Sequence, residues 1–414
     1  MKFNPPERLD NGLEVIINSQ PHLHYVGVAV GVKYGSVYED MRINGSAHFL
    51  EHMLFEGTKT KGPREIDKLM RENGFDQNAF TGEELTAYYV LASRKNPENA
   101  VAFLADIMQN SILDPTEVEN QRGAVVNELL GRQDNPRVFL QDLSQPIIFE
   151  GQAAGRLGAG TPETVSKITR DELMEIYKKN YIPQNMVLSI YGGIKPEDAM
   201  QLAKKHFGDF NRPYRKIEIP DSEGPSEAKS VVLERPGISQ IKYGLCFGFP
   251  GSRRILPSNP KDFVSIDLLV DFLDHKIKDM VYEKVGVSEV TDVDCRLGRT
   301  YGVVYISAKS RSPKRLSRVQ DIIASELDKV RTGDIDAEDF DRVRAKYLGK
   351  KEMDLDNALE SAMDSAIWQT LHGKQLYDTY QLARGLSAED LTRVANTYLD
   401  KKKSVSLTLK PEAK

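Results

Sequence analysis

Residues 46–58, Ser-Ala-His-Phe-Leu-Glu-His-Met-Leu-Phe-Glu-Gly-Thr, decide how this 414-residue chain is read. His48 and His52 lie four apart. On a helix that spacing puts both imidazoles on one face, one turn apart, within reach of a single ion. Glu51 sits beside that face, where its carboxylate can touch a water on the ion without being a ligand. Two neutral imidazoles and a nearby carboxylate make up most of a hydrolytic zinc site. The plainer alternative is a pair of helix histidines beside a surface glutamate. A third ligand separates the two.

The flanking sequence supplies strands and helices in alternation. Asp10-Asn11-Gly12 reads as a hairpin turn before a β-rich Leu13 to Ile17, and 25–34 alternate apolar and small residues as a second strand. Pro63 to Asn73 has the signature of a helix, with proline at its start and Gly74 at its end. Residues 75–81 and 85–91 read as two strands. Asn99 to Asn110, Glu117 to Arg132, 138–150 and 170–180 read as helices, and 186–191 as a strand. Residues 211–230 are polar, carry three prolines, and read as a linker. Beyond it, strands at 231–233, 241–249 and 303–308 accompany helices at 265–284, 316–331, 337–354 and 358–371.

An internal repeat supports a division in two. Leu173, Tyr181 and Val187 match Leu391, Tyr398 and Val405 at nearly constant offset, each set being a helix followed by a strand. Thr116 to Asn135 likewise resembles Ala337 to Asn357, and each is followed by an apolar helix ending in glycine (Gly151, Gly373). The expected fold is α+β: two structurally similar domains, each a mainly antiparallel sheet packed with several helices. Their expected limits are 1–215 for the metal-bearing domain, 216–230 for the linker and 231–414 for the second domain, which has no His-x-x-Glu-His.

A net charge of −5 with mixed signs provides no basic surface for nucleic acid. No apolar run approaches the roughly 18 residues that span a bilayer, so no membrane is expected. The N-terminal residues do not read as a signal peptide or presequence. Cys246 and Cys295 are the only cysteines and read as buried free thiols in a reducing cytoplasm.

Candidates for the third ligand are Glu65, Glu72, Glu117, Glu119 and Glu128, and spacing does not choose among them. Glu128 stands out because Val125, Leu129 and Leu130 flank it. An acid on an apolar side is costly unless paired or metal-bound.

Here the chain resembles a known family. The His-x-x-Glu-His order is the inverzincin motif. Around it, Asn11 to Val15, Ala47 to Thr58, Asn78 to Thr81 with Thr86 and Tyr88, and Arg122 to Glu128 with Asp134 to Pro136 resemble the pitrilysin-type zinc peptidases, family M16, of the LuxS/metallopeptidase-like fold. The short two-domain branch that includes mitochondrial processing peptidase is the most similar. The resemblance implies one Zn²⁺ per chain on His48, His52 and Glu128, with Glu51 as general base and Gln121 behind the ligands. It implies an edge strand at Asn78, Ala79 and Phe80, with Tyr88, that binds peptide by strand addition. The expected activity is a zinc-dependent metalloendopeptidase hydrolysing extended or unfolded peptides.

Two departures qualify that expectation. Gln121 stands where family members often carry a second glutamate. Tyr282 and Glu289 stand where active members carry an arginine and a tyrosine that grip the substrate carbonyl. An ionised glutamate cannot donate to an oxyanion. The chain therefore resembles the metal-bearing member of a heterodimer whose related, non-metal partner supplies the missing pair, with a homodimer as the other arrangement. The alternative function is a non-catalytic zinc-binding assembly subunit of an M16-like complex.

Overall fold

The computed structural model describes residues 4–214, 216–286, 290–354, 356–373 and 378–412. The chain folds into two compact units. The first comprises Met1–Leu130, Arg156–Ile219 and Glu352–Leu376; the second comprises Gly131–Gly155, Pro220–Lys351 and Tyr377–Lys414.

The first unit is built on a six-stranded sheet. Its strands are β1 (Glu7–Arg8), β2 (Glu14–Ser19), β3 (Tyr25–Val32), β4 (Asp76–Thr81), β5 (Thr86–Ser93) and β6 (Met186–Gly192). Their order is β1-β2-β6-β3-β5-β4, antiparallel throughout except for the parallel β2–β6 pair. The second unit has β7 (Lys229–Arg235), β8 (Ile241–Pro250), β9 (Val290–Leu297), β10 (Tyr301–Ser310) and β11 (Ser404–Pro411) in the order β7-β11-β8-β10-β9. Only its β7–β11 pair is parallel. The expected fold class is the observed one: two α+β units, each a largely antiparallel sheet packed by helices.

The alternation in β3 explains how the first sheet is covered. Val26, Val28, Val30 and Val32 point into one apolar core with Val90, Leu188 and Ile190. That face is closed by α1 (Ser46–Met53), α2 (Pro63–Asn73), α3 (Pro97–Asn110) and the helices Arg170–Asn180 and Pro196–Phe207. The odd positions Gly27, Ala29 and Gly31 line the other face, because successive strand side chains alternate. There the helix Ala358–His372 packs, with Ala29 and Tyr191 against Ala358, Ala362 and Ala366. Small residues on both sides let helix and sheet approach closely. An ideal Cβ on Gly27 would lie 2.2 Å from the Ala358 carbonyl oxygen. Gly27→Ala is therefore expected to cost about 3 kcal/mol, as overpacking against rigid backbone does; a urea melt reads it, and a loss under about 1 kcal/mol would mean that the helix moves aside freely.

The second sheet is covered reciprocally. Phe247, Phe249, Val304 and Ile306 face a core closed by its own helices, such as Pro260–Lys284 and Ala388–Tyr398. Cys246, Val303, Tyr305, Val405 and Leu407 face Leu140, Ile148 and Phe149, on and just after α5 (Pro136–Ile148), which follows α4 (Pro115–Asp134). Tyr305 Oη donates to Gln145 Oε1 (2.6 Å) within that layer. Thus α5, from the first half of the sequence, belongs to the second unit, and Ala358–His372, from the second half, belongs to the first. These are the two glycine-terminated apolar helices that the repeat pairs. Periodicity shows that such helices have an apolar face; it does not show which sheet receives it.

Several elements went unread in the sequence, the helix Pro196–Phe207 and strand β9 among them. Pro196–Phe207 carries clear signals, with proline at its start, Glu197 and Asp198 in the first turn and Lys204 and Lys205 in the last. Strand β9 is rich in aspartate, which depresses strand propensity. Within 216–230, Arg253 binds Asp221, and the backbone N–H of Ser222 donates to the Thr300 carbonyl (2.9 Å). From Pro220 onward that stretch is therefore part of the second unit. Both cysteines are free, Cys246 buried and Cys295 partly so. No helix among the described residues is long and apolar enough to cross a membrane.

Candidate metal centre

Helix α1 begins without a capping side chain. Its N-cap is Gly45, at φ 98°, a left-handed conformation that side chains disfavour. The cap comes from Glu39, fully buried seven residues ahead of the first helical position. Glu39 Oε1 accepts from the Ala47 N–H (2.6 Å) and Ser46 Oγ (2.9 Å), and Oε2 from the Gly45 N–H and Asn44 Nδ2 (both 2.8 Å). One carboxylate thereby satisfies two backbone donors at the helix start. Burial nonetheless raises the Glu39 pKa, partly offset by those same hydrogen bonds. The helix is then held by Ala47, Phe49, Leu50 and Met53, all fully buried.

His48 and His52 project from this helix toward α4. Their rings are 4.9 Å apart and nearly perpendicular. Glu128 meets both: His48 Nε2 lies 3.5 Å from Oε1, and His52 Nε2 lies 3.4 Å from Oε2. The three ligand atoms fall within 4.8 Å of one another. Tetrahedral zinc, with bonds near 2.0–2.1 Å, separates its ligand atoms by about 3.3 Å. The spacing and donor set therefore fit one zinc ion per chain. Glu128 is held well below the usual carboxylate range by hydrogen bonds from His48 and then His52. For His52, burial opposes the charged form, but the bond to Glu128 and the charge of Glu51 outweigh it and raise the pKa.

Val125 and Leu129, both buried, seat α4, and Arg122 stacks over Phe49 at 5.2 Å while donating to the Val165 carbonyl (2.7 Å). Leu130 is instead exposed, and the Glu128 side chain is 44% exposed. Glu128 therefore sits at the border of the apolar stripe, not inside it. Of the other candidate ligands, Glu65 closes the start of α2 by accepting from the Gly62 N–H, Glu119 pairs with Arg122, and Glu117 accepts from Asn120. Glu72 lies by Lys68.

Gln121 lies behind the cluster: its Oε1 is 3.3 Å from His52 Nδ1, and its Nε2 donates to Glu56 Oε1 (2.7 Å). Glu51 is largely buried, which raises its pKa, and its Oε2 accepts from Thr81 Oγ1 (2.5 Å). That bond joins α1 to β4, which is a sheet edge because β5 is its only partner in the sheet order. On β4, Asn78 is exposed, Ala79 buried and Phe80 half-buried. Asn78 Oδ1 accepts from the Ala79 N–H (2.8 Å). Tyr88 does not fit a peptide-facing role. It is fully buried, and its hydroxyl pairs with Tyr181 Oη at 2.7 Å, so it is a core aromatic. Tyr282 is 66% exposed on the helix Pro260–Lys284, and Glu289 lies outside the described residues. Glu39, Glu56 and Thr81 were not singled out in the sequence. Glu56 follows His52 by four residues, whereas only the chain path brings Glu39 and Thr81 to the centre.

Comparison with known proteins adds the family. Residues 14–160 match the family model described as Insulinase (Peptidase family M16). Residues 167–347 match the model described as Peptidase M16 inactive domain. The chain belongs to peptidase family M16. This M16 chain is 36% identical over 218 residues to the probable mitochondrial-processing peptidase subunit beta of Schizosaccharomyces pombe, covering 52% of this chain and 47% of that one. It is 35% identical over 222 residues to the mitochondrial-processing peptidase subunit beta of Bos taurus, covering 53% and 45%. It thus spans about half the length of the curated relatives it matches. The crystal structure of a protease from Helicobacter pylori shares the fold, with a TM-score of 0.91, 24% identity and 99% of each chain covered.

The same comparisons correct the expectation of a metalloendopeptidase. The stretch 167–347 matches a model described as an inactive domain. The two relatives named above are β subunits, and the match reaches only about half of each. Among the described residues, the cluster that can hold a metal is limited to His48, His52 and Glu128, with Glu128 at the surface. Hydrolase, protease and proteolysis are therefore withdrawn as descriptions of this chain, while zinc, metal binding and M16 membership stand. The non-catalytic alternative is the better supported.

Proposed function

We propose that this chain is a zinc-binding, non-catalytic assembly subunit of an M16-type complex. The observation that carries the reading is a zinc-fitting His48-His52-Glu128 cluster in a chain whose residues 167–347 match the inactive-domain model. Zinc, when bound there, is a strong Lewis acid that can also clip protein segments together. In this reading His48 and His52 on α1 and Glu128 on α4 hold the ion and tie two helices far apart in sequence. Glu51, bonded to Thr81, anchors α1 to the edge strand. The backbone of β4 at Asn78, Ala79 and Phe80 offers its open side to an extended peptide. The partner is a chain of related fold, as the β-subunit likeness suggests, and a second copy is the other arrangement. The free cysteines favour a reducing compartment, the cytoplasm.

The test is direct. The purified chain, loaded with zinc, is incubated alone with internally quenched unstructured peptides. Hydrolysis is expected to be no faster than that of its Glu51→Gln variant. Turnover that a chelator removes, zinc restores and Glu51→Gln abolishes would overturn the reading.

A further inference from the structure

We infer that Asp274 closes the outer edge of the second sheet: by accepting from the outward N–H of Val293, it bars β9 from pairing edge to edge with a second copy of this chain. The inference goes beyond the zinc-binding reading and does not depend on it.

Strand β9 ends the sheet order β7-β11-β8-β10-β9, so β10 is its one strand partner among the described residues. In an antiparallel pair, alternate residues turn their N–H groups toward the partner and the residues between turn theirs away. Val293 and Cys295 belong to the outward set, and carboxylates take both of their N–H groups. The Val293 N–H donates to Asp274 Oδ1 (3.0 Å), on the helix Pro260–Lys284, and the Cys295 N–H donates to Asp294 Oδ1 (2.9 Å), on the strand itself. Asp274 is held in place. Leu273 and Ile277, both fully buried, seat its helix. Its Oδ2 accepts from Lys278 Nζ (2.7 Å), which also lies 3.7 Å from Asp292 Oδ1. A strand arriving at this edge would bring neutral carbonyls to donors that ionised carboxylates already hold, and bonds to ionised acceptors are the stronger kind.

The outer strand of the first sheet provides the contrast. β4 holds the corresponding place beside its hairpin neighbour β5, and it repeats the local half of the arrangement: Asn78 Oδ1 takes the Ala79 N–H as Asp294 takes that of Cys295. The half supplied by a helix is missing there. Among the described residues no side chain takes the N–H of Gln77 or Thr81, the outward positions on either side of Ala79. A neutral amide on an exposed residue swings aside readily; a carboxylate fixed by a packed helix and a lysine does not. Two edges alike in sheet order are thereby made unlike, with β4 open and β9 shut. A bare edge invites pairing with another chain, and a second copy always brings an identical edge to a two-fold contact.

The alternative is that the helix shields β9 by bulk alone, and the experiment separates the two. Amide hydrogen exchange, resolved to single residues by mass spectrometry, follows Val293 and Asp294 in the full chain. Both are expected to be protected in wild type. Asp274→Ala is expected to speed exchange at Val293 at least about tenfold, the scale of a lost bond to a charged group. Asp294, whose N–H faces Tyr305 on β10, keeps its protection. Asp274→Asn retains an accepting oxygen and is expected to stay within about threefold of wild type. Asp274→Ser, too short to reach Val293, is a second opening variant that guards against misfolding in the alanine one. Sedimentation velocity then reads association. Asp274→Ala/Asp294→Ala is expected to gain a larger, concentration-dependent species that wild type lacks, with Val293 and Cys295 regaining protection as it forms. Unchanged exchange at Val293 in both opening variants overturns the inference, because shielding by bulk would leave it so. Exchange that quickens equally at Asp294 overturns it too, because the whole strand would have loosened. A double variant that associates no more than wild type at any concentration also overturns it, since β9 would then be shut to a second copy without the carboxylates.

Discussion

Glu39→Ala is expected to lower folding stability by about 4 kcal/mol, in line with stranding several buried polar groups at once. The substitution would leave the Gly45 and Ala47 N–H groups, the Ser46 hydroxyl and the Asn44 amide without their shared acceptor. All lie in a buried setting, so water does not readily replace the carboxylate. Glu39→Gln should be nearly as damaging. All four neighbouring contacts donate to the carboxylate, and an amide presents only one accepting end, so its NH₂ would face donors. The free energy of unfolding in urea measures both. Near-neutral behaviour of Glu39→Gln would mean that the donors find other acceptors. Because α1 carries both histidines, the same variants should also bind zinc more weakly.

The second large effect concerns the metal directly. Glu128→Gln keeps the shape of the side chain but removes the negative charge from the cluster. Zinc affinity should fall by more than the roughly 10–100-fold that an outer partner is worth, because a ligand is lost outright. Equilibrium dialysis with metal analysis reads this, and an affinity within about threefold of wild type would take Glu128 out of the ligand set. Acid should act in the same sense. Metal binding requires neutral imidazoles, and the His52 pKa lies above its ordinary 6.5. Proton competition therefore begins at a higher pH than an isolated histidine would show, and affinity declines as pH falls through that range.

The local parts of this centre were legible because helical spacing alone brings His48 and His52 together. Glu128 was legible through its neighbours Val125 and Leu129, though Leu130 faces solvent. Gln121 fell on the right face because seven residues make two turns. Other features depend on the path of the chain. Glu39 reaches the start of α1 only because Gly45 takes a left-handed turn, and no periodic signal announces that. Tyr88 sits in a strand of alternating burial, and its pairing with Tyr181 needs a helix end 93 residues away. The exchange of α5 and Ala358–His372 is hidden for a related reason. Both helices are apolar on one side, and the small residues of β3 that receive the latter look like ordinary strand positions. The element types and the two-sheet architecture are set by local pattern, so they could be read. The partnering of faces is set by long-range packing, so it could not.

Zinc held by two imidazoles and one carboxylate is the central claim. X-ray absorption at the zinc edge of the loaded chain tests it most directly. The spectrum is expected to show one zinc per chain, a first shell of nitrogen and oxygen at about 2.0–2.1 Å, and the multiple-scattering pattern of two imidazole rings. Loss of one ring's contribution in His48→Ala would tie the signal to α1. A sulfur shell near about 2.3 Å, a shell without imidazole scattering, or no stoichiometric zinc at all would contradict the claim.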